Sequence, residues 1–102
     1  MAGLMNLTVT YVIWADAHSN SSGWTGRREL DDEEEYLVHS VGWLLTEEDG
    51  GKPNHITLCQ SYTTDEDVDH VLFIPQGMVR KIEVLSTKPT AELRYPHGRQ
   101  EI

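Results

Sequence analysis

The feature that most constrains the fold is the stretch from Tyr36 to Leu85, in which short apolar runs alternate with turn-forming clusters. The runs are rich in β-branched and aromatic residues, which is typical of strands. Residues 48–54, between the first two runs, contain Asp-Gly and Gly-Gly pairs, which supply the positive φ angles of hairpin turns. The stretch therefore predicts consecutive antiparallel strands.

A further strand precedes this stretch, so the strand that starts at Tyr36 is the second. This second strand contains a glycine at position 42. Apolar groups lie on both faces of the second strand, and Gly42 has no Cβ, so we expect this long strand to bend at Gly42 between two small sheets. Residues 27–35 predict either a short helix or a single turn. The predicted strands are residues 7–14, 36–46, 55–62, 71–74 and 79–85.

The segment from Phe73 to Ile82 predicts how the sheet ends. Pro75 has no amide donor and ends strand pairing, and Gly77 permits a tight turn into the last strand. This strand, Pro-x-Gly turn and strand resemble the closing corner of SH3-like and Sm-like small barrels, in which the final strand pairs back and closes the sheet. We therefore expect an all-β fold, a small five-stranded SH3-like or Sm-like barrel, with an open sheet or sandwich as the alternative.

Length and cysteine content limit the organisation and the compartment. The chain of 102 residues predicts one domain, residues 1–85, followed by a weakly ordered tail, residues 86–102. Cys59 is the single cysteine, so no intramolecular disulfide can form, which is typical of a reducing cytoplasm. No apolar run has the length of a membrane span, and no signal peptide pattern is present, so we expect no membrane association.

Charge narrows the choice of partners. Seventeen acidic residues against eight basic ones give a net charge of −9, which repels nucleic-acid phosphate. Direct nucleic-acid binding is therefore not expected. The acidic runs at residues 31–35, 47–49 and 65–67 have two interpretations: they are solvated loops that keep the protein soluble, or they imitate the charge of DNA on a compact surface.

No pattern of catalytic or metal-binding residues is evident. Asp16, His18 and His39 have suitable side chains for a metal, but their spacing matches no established ligand pattern. Cys59 lies in the middle of a predicted strand, where a buried thiol is the usual outcome. We expect no catalytic residues, no metal and no cofactor.

The tryptophans divide into two kinds. Trp14 and Trp43 lie within predicted strands and are expected in or near the core. Trp24 stands alone in a polar loop, which predicts either a lid folded over the barrel, the interpretation we favour, or an exposed anchor for a partner or a stacked base.

Short motifs in a fixed order resemble a group of small uncharacterised bacteriophage proteins over about residues 7–85. In this chain they are Asp16-Ala17-His18-Ser19, Trp24, Ser40-Val41-Gly42-Trp43-Leu44, Thr57-Leu58-Cys59-Gln60 and the segment from Ile74 to Leu85. The resemblance implies a non-structural phage protein in the cytoplasm of the infected bacterial host. Such proteins bind and disable a host factor, or sequester a nucleotide signal of an immune pathway.

The sequence thus favours a non-enzymatic binding protein of host takeover or counter-defence. Because binding residues tend to lie in loops on a rigid β scaffold, we expect contacts to a host protein or a nucleotide-like ligand from Asp16, Ser19, Trp24 and Arg80. The alternative is an acidic DNA mimic that inhibits a host nucleic-acid-binding enzyme. A homo-oligomer formed by edge strands is compatible with either function.

Overall fold

The computed structural model describes residues 7–19, 23–31 and 34–85, and its regular structure is β with two short 3₁₀ turns. The predicted tail, residues 86–102, lies outside the described residues. The turns, Glu47–Asp49 and Gln76–Met78, precede the third and fifth strands. The strands are β1 (Val9–Asp16), β2 (Tyr36–Leu45), β3 (His55–Tyr62), β4 (Val68–Pro75) and β5 (Val79–Val84).

All five strands belong to one antiparallel sheet with the order β4-β3-β2-β1-β5. The predicted one-turn connection after Pro75 is confirmed, since Gln76–Met78 links β4 directly to β5. Beyond this turn β5 pairs with β1, starting with Val79 opposite Trp14. Because β4 and β5 lie at opposite edges of the described sheet, the sheet is open and the expected closure into a barrel is not confirmed.

The turns follow from local chemistry. The hairpin loop between β2 and β3 contains Gly50 at φ 101°, a backbone conformation that glycine adopts without steric cost. In the loop between β1 and β2, the amide of Glu29 donates to the carbonyl of Gly26 at 2.9 Å, which closes a turn. Of the two alternatives for residues 27–35, the described part therefore contains the turn.

Two apolar clusters lie on opposite faces of the sheet, because successive side chains of a strand point to opposite faces. The larger cluster is centred on Val12, Leu58 and Ile74, and Trp14 packs against it. The smaller one includes Cys59, which is fully buried. Burial raises the pKa of the Cys59 thiol. The expectation that Cys59 is a packed thiol in mid-strand is confirmed.

β2 has different neighbours along its two halves. It pairs with β1 from Tyr36 to Trp43, but it pairs with β3 only at Trp43, Leu44 and Leu45. Before residue 43 the two strands diverge, and the sheet divides into a β5-β1-β2 leaf and a β3-β4 leaf. Gly42 lies at the branch point. The register with β1 continues through Gly42, so that ladder has no bulge there, and the predicted bend between two small sheets is not confirmed, since all five strands belong to one sheet.

The branch point requires a residue without a side chain. A Cβ at position 42 would lie 2.9 Å from the carbonyl oxygen of Cys59 and 3.1 Å from the Cβ of Leu58. The carbonyl belongs to the backbone of β3, so the strands could relieve this overlap only by moving apart. Gly42 thus fixes how closely the two leaves approach each other.

We expect Gly42→Ala to destabilise the protein by about 1–3 kcal/mol, the usual cost of inserting a methyl group into a packed site. Gly77→Ala is the matched control, because a Cβ at Gly77 would have no heavy atom within 4 Å. Urea unfolding of both variants measures the difference. Equal stability of the two variants would show that the leaves are not held together tightly at Gly42.

Candidate functional site

One end of the sheet brings together loops that are distant in sequence. β1 ends there at Asp16, opposite Tyr36 at the start of β2, and β5 starts near the same end with Val79 opposite Trp14. The three-residue turn Gln76–Met78 leads from Pro75, which lies opposite His55, to Val79, so this turn lies at the same end. The loop after Tyr62 lies elsewhere, because Tyr62 packs against Leu7 and Trp43 near the other end of β1. We call the first end the acidic end, defined by its described carboxylates Asp16, Glu29, Asp31, Glu34 and Glu35.

The four residues predicted as binding contacts all belong to this end of the sheet. Asp16, the last residue of β1, accepts a hydrogen bond from the amide of Ala17 at 2.8 Å and so closes the strand locally. Ser19 is exposed in the loop that follows. Trp24, in the same loop, is also fully exposed, so the lid interpretation is wrong and the interpretation as an exposed aromatic group remains.

Arg80, the fourth predicted contact, is paired within the chain. Its Nε donates to Oε1 of Glu35 at 2.8 Å, its Nη2 donates to Oε2 of the same carboxylate, and its Nη1 donates to the carbonyl of Gly77 at 2.9 Å. Arg80 is the extra residue of a bulge, since Ile13 pairs with Lys81 and Trp14 with Val79. The bulge lets the guanidinium reach the residue just before β2.

The ion pair shifts the pKa of both partners. The hydrogen bond from Arg80 lowers the pKa of Glu35, and the same bond raises the pKa of Arg80. Both side chains remain partly exposed, so the energetic contribution of the pair is small. Its main consequence for binding is that the guanidinium is already neutralised.

We expect Arg80→Met to lower the thermal unfolding midpoint slightly at neutral pH. Because the pKa of Glu35 is lowered on folding, the stabilisation is present above its unfolded value of 4.5 and is lost as the pH falls through the lower, folded pKa. The difference from wild type should therefore shrink in acid. Unfolding followed over a pH series tests this, with Arg27→Met, which removes a cation from an exposed loop, as the control. Identical pH profiles for the two variants would contradict a specific Glu35–Arg80 contribution.

The three acidic runs are not equivalent in the structure. The described part of the run at residues 31–35 lies at the acidic end, directly before β2, whereas the run at residues 65–67 follows Tyr62, which packs against Leu7 and Trp43. Glu47–Asp49 forms a turn after the last residue of β2. Asp32 and Glu33 lie outside the described residues. The described carboxylates of the acidic end and Trp24 thus share the loop between β1 and β2.

A groove opens where the two leaves diverge, and residue patterns did not predict it. It has a volume of about 360 Å³. We call it the fork groove, and it is lined by His39, Ser40, Val41, Leu58, Gln60, His70 and Leu72. The sequence contained one signal for it, namely that Gly42 allows close approach while Gln60 interrupts an apolar strand. The partner strands of these residues could not be inferred from that signal.

The backbone of β2 faces this groove. The amide of Leu44 donates to the carbonyl of Thr8 at 2.9 Å, so the even-numbered residues of β2 bond towards the β1 side. The odd-numbered residues, including His39 and Val41, direct their N–H and C=O groups towards β3. The side-chain amide of Gln60 donates to the carbonyl of Val41 at 2.7 Å and so bridges the two leaves at the base of the groove.

Two histidines line opposite walls of the fork groove. His39 is stacked on Tyr11, and its Nδ1 lies 2.7 Å from the Tyr11 hydroxyl oxygen. His70 has φ 52°, and its amide donates to Oδ1 of Asp69 at 2.8 Å. The polar groups of the walls are therefore held in place by neighbours, and Val41, Leu58 and Leu72 add apolar groups to the lining. Such a groove suits an extended peptide or a loop better than a small charged ligand.

The described residues contain no cluster of three or more His, Cys, Asp or Glu side chains that could hold a metal ion. Nor does any helix in this part of the chain have the length and apolar character needed to cross a membrane. Scans against protein-family models, curated proteins and solved structures found no match to the chain.

Proposed function

We propose that this chain is a non-enzymatic, phage-encoded binding protein of host takeover or counter-defence. It acts in the cytoplasm of the infected bacterium. Its acidic end binds a basic surface of a host protein. Its scaffold is a small barrel of the SH3-like or Sm-like kind that is open between β4 and β5. The observation that supports this proposal most directly is the position of the fully exposed Trp24 in the same loop between β1 and β2 as the exposed carboxylates of Glu29, Asp31 and Glu34.

The physical basis is a combination of steering and anchoring. Clustered carboxylates attract a positively charged surface over a distance of about a Debye length and speed association. An exposed tryptophan contributes a large apolar area to a contact that the charges have oriented. The fork groove adds β2 backbone that has no ladder partner on β3 before Trp43, and an extended segment of the target can form hydrogen bonds with it.

A nucleotide-like ligand is less well supported by the same geometry. Its phosphates would need cations, and Arg80 is the only predicted contact with a positive charge. That guanidinium already forms two hydrogen bonds to the carboxylate of Glu35 and one to a carbonyl. Binding phosphate would require displacing Glu35 while other carboxylates remain close by, which disfavours this ligand electrostatically.

The DNA-mimic interpretation is the second candidate, and the distribution of charge favours it in part. If the basic surface of the target normally holds nucleic acid, the acidic end would occupy the phosphate-binding groove. The target would then be a nucleic-acid-binding enzyme of the host, and DNA would compete with the protein for it. Competition by DNA distinguishes this candidate from binding at another basic surface.

We expect the variant Glu29→Gln/Asp31→Asn/Glu34→Gln to lose most binding to the host target. The matched control is Asp65→Asn/Glu66→Gln/Asp67→Asn, which also removes three charges, but from the loop between β3 and β4, and should retain binding. The measurement is affinity capture from bacterial lysate, followed by titration of the captured polypeptide at several salt concentrations. Affinity for the wild type and the control should fall steeply as salt rises.

Trp24→Ala should weaken the same interaction by at least about tenfold without affecting the fold, because the side chain contacts solvent.

Equal loss of binding in both triple variants would contradict a role for the acidic end in particular. Native mass spectrometry of the purified protein tests for a nucleotide-like ligand. A retained mass of nucleotide size would show that the protein binds such a ligand and would contradict the proposed protein target.

A further inference from the structure

The edge strand β5 has an exposed apolar surface that its neighbours in the sheet do not share. Ile82 and Val84 are 45% and 58% exposed, whereas the residues opposite them on β1, Val12 and Thr10, are fully buried. The pairs lie on the same face of the sheet, so the difference arises at the edge. Among the described residues, no strand lies on the outer side of β5.

The hydrogen-bonding direction of each residue on β5 follows from one contact. The amide of Leu85 donates to the carbonyl of Val9 at 2.8 Å, so Leu85 bonds towards β1. Because alternate residues of an antiparallel strand bond to opposite sides, Glu83 and Lys81 also bond towards β1. Ile82 and Val84 therefore direct their N–H and C=O groups towards the free edge.

This edge is complementary to itself in one antiparallel register. When Ile82 is placed opposite Ile82 of a second copy, two residues that both bond outwards face each other across a two-fold axis. Lys81 then lies opposite Glu83 of the second copy, and Glu83 lies opposite Lys81. The register thus pairs two opposite charges at each side of the axis, and it overlaps the segment from Arg80 to Val84 in both copies.

Neighbouring registers are less favourable. A shift by one residue would set outward-bonding groups against residues that bond to β1, so the new ladder would lose its hydrogen bonds. Lysine at an edge normally prevents strands from adding to it, because its charge is not compensated. Here Glu83 is two residues away on the same face, and Nζ of Lys81 lies 3.7 Å from its Oε1, so both charges are in position to pair across the axis.

We propose that β5 is the interface of a symmetric dimer, in which the β5 strands of two copies pair antiparallel about Ile82 and join two sheets into one. The interface lies away from the acidic end, except at Arg80, and it is independent of which host target the protein binds. In such a dimer the exposed apolar groups of β5 cover each other, and the two acidic ends point in opposite directions along the joined sheets.

Charge reversal on the full-length chain tests the register. Glu83→Lys and Lys81→Glu each place like charges opposite each other twice, and each should raise the dimer dissociation constant at least about tenfold. The double variant Lys81→Glu/Glu83→Lys restores both opposite-charge pairs and should dimerise like the wild type. The measurement is sedimentation equilibrium over a dilution series. Glu83→Lys is decisive, because it reduces the net negative charge of the protein. If overall repulsion between the two copies governed association, this variant would dimerise more strongly than the wild type, whereas the proposed register predicts weaker dimerisation.

Ile82→Pro provides a second test. The Ile82 amide points away from β1, so proline removes no hydrogen bond from the β1-β5 ladder, and edge positions tolerate it. The variant should keep the wild-type circular dichroism spectrum and be monomeric. A wild-type chain that is monomeric at every concentration would overturn the proposal. A dimer whose association the double variant does not restore would also overturn it, and would indicate that β5 pairs with another strand, such as β4.

Discussion

The close approach of β2 to β3 at Gly42 is the constraint on which the rest of this structure depends. At Gly42, the carbonyl of Cys59 occupies the space that a side chain would need. On one side of this point β2 is a central strand with two partners, and on the other it pairs with β1 alone. The division creates the fork groove, and it separates the β3-β4 leaf from the leaf that contains β1 and β5.

The same division separates the charges. The loop between β1 and β2 and the loop between β3 and β4 each contain a run of carboxylates, and they belong to different leaves. Arg80 compensates one of these carboxylates, because the bulge in β5 brings its guanidinium to Glu35 across the sheet. The other described carboxylates of the loop between β1 and β2 are exposed, and so is Trp24 in the same loop. A small sheet thereby has a charged end suited to a basic partner and an edge strand suited to a second copy of itself.

Local patterns predicted the strands well where side-chain alternation and turn residues agree. β3 has the predicted bounds, and Pro75 with Gly77 gave the one-turn connection to β5. β4 begins three residues before its predicted start, because Val68 and Asp69 pair with β3 beyond the acidic loop. The interpretation of Trp24 as a lid was wrong. A lone tryptophan in a polar loop is unusual, but the sequence does not show whether there is a surface that it could cover.

The sequence by itself determined the β class, the strand spacing and the excess of negative charge. These properties depend on residues that are neighbours in the chain. Only the tertiary structure decided that β4 and β5 lie at opposite edges, that Glu35 neutralises Arg80, and that the acidic runs at residues 31–35 and 65–67 belong to different leaves. Those outcomes depend on which strands pair and in what register, which is set by contacts between residues far apart in the chain.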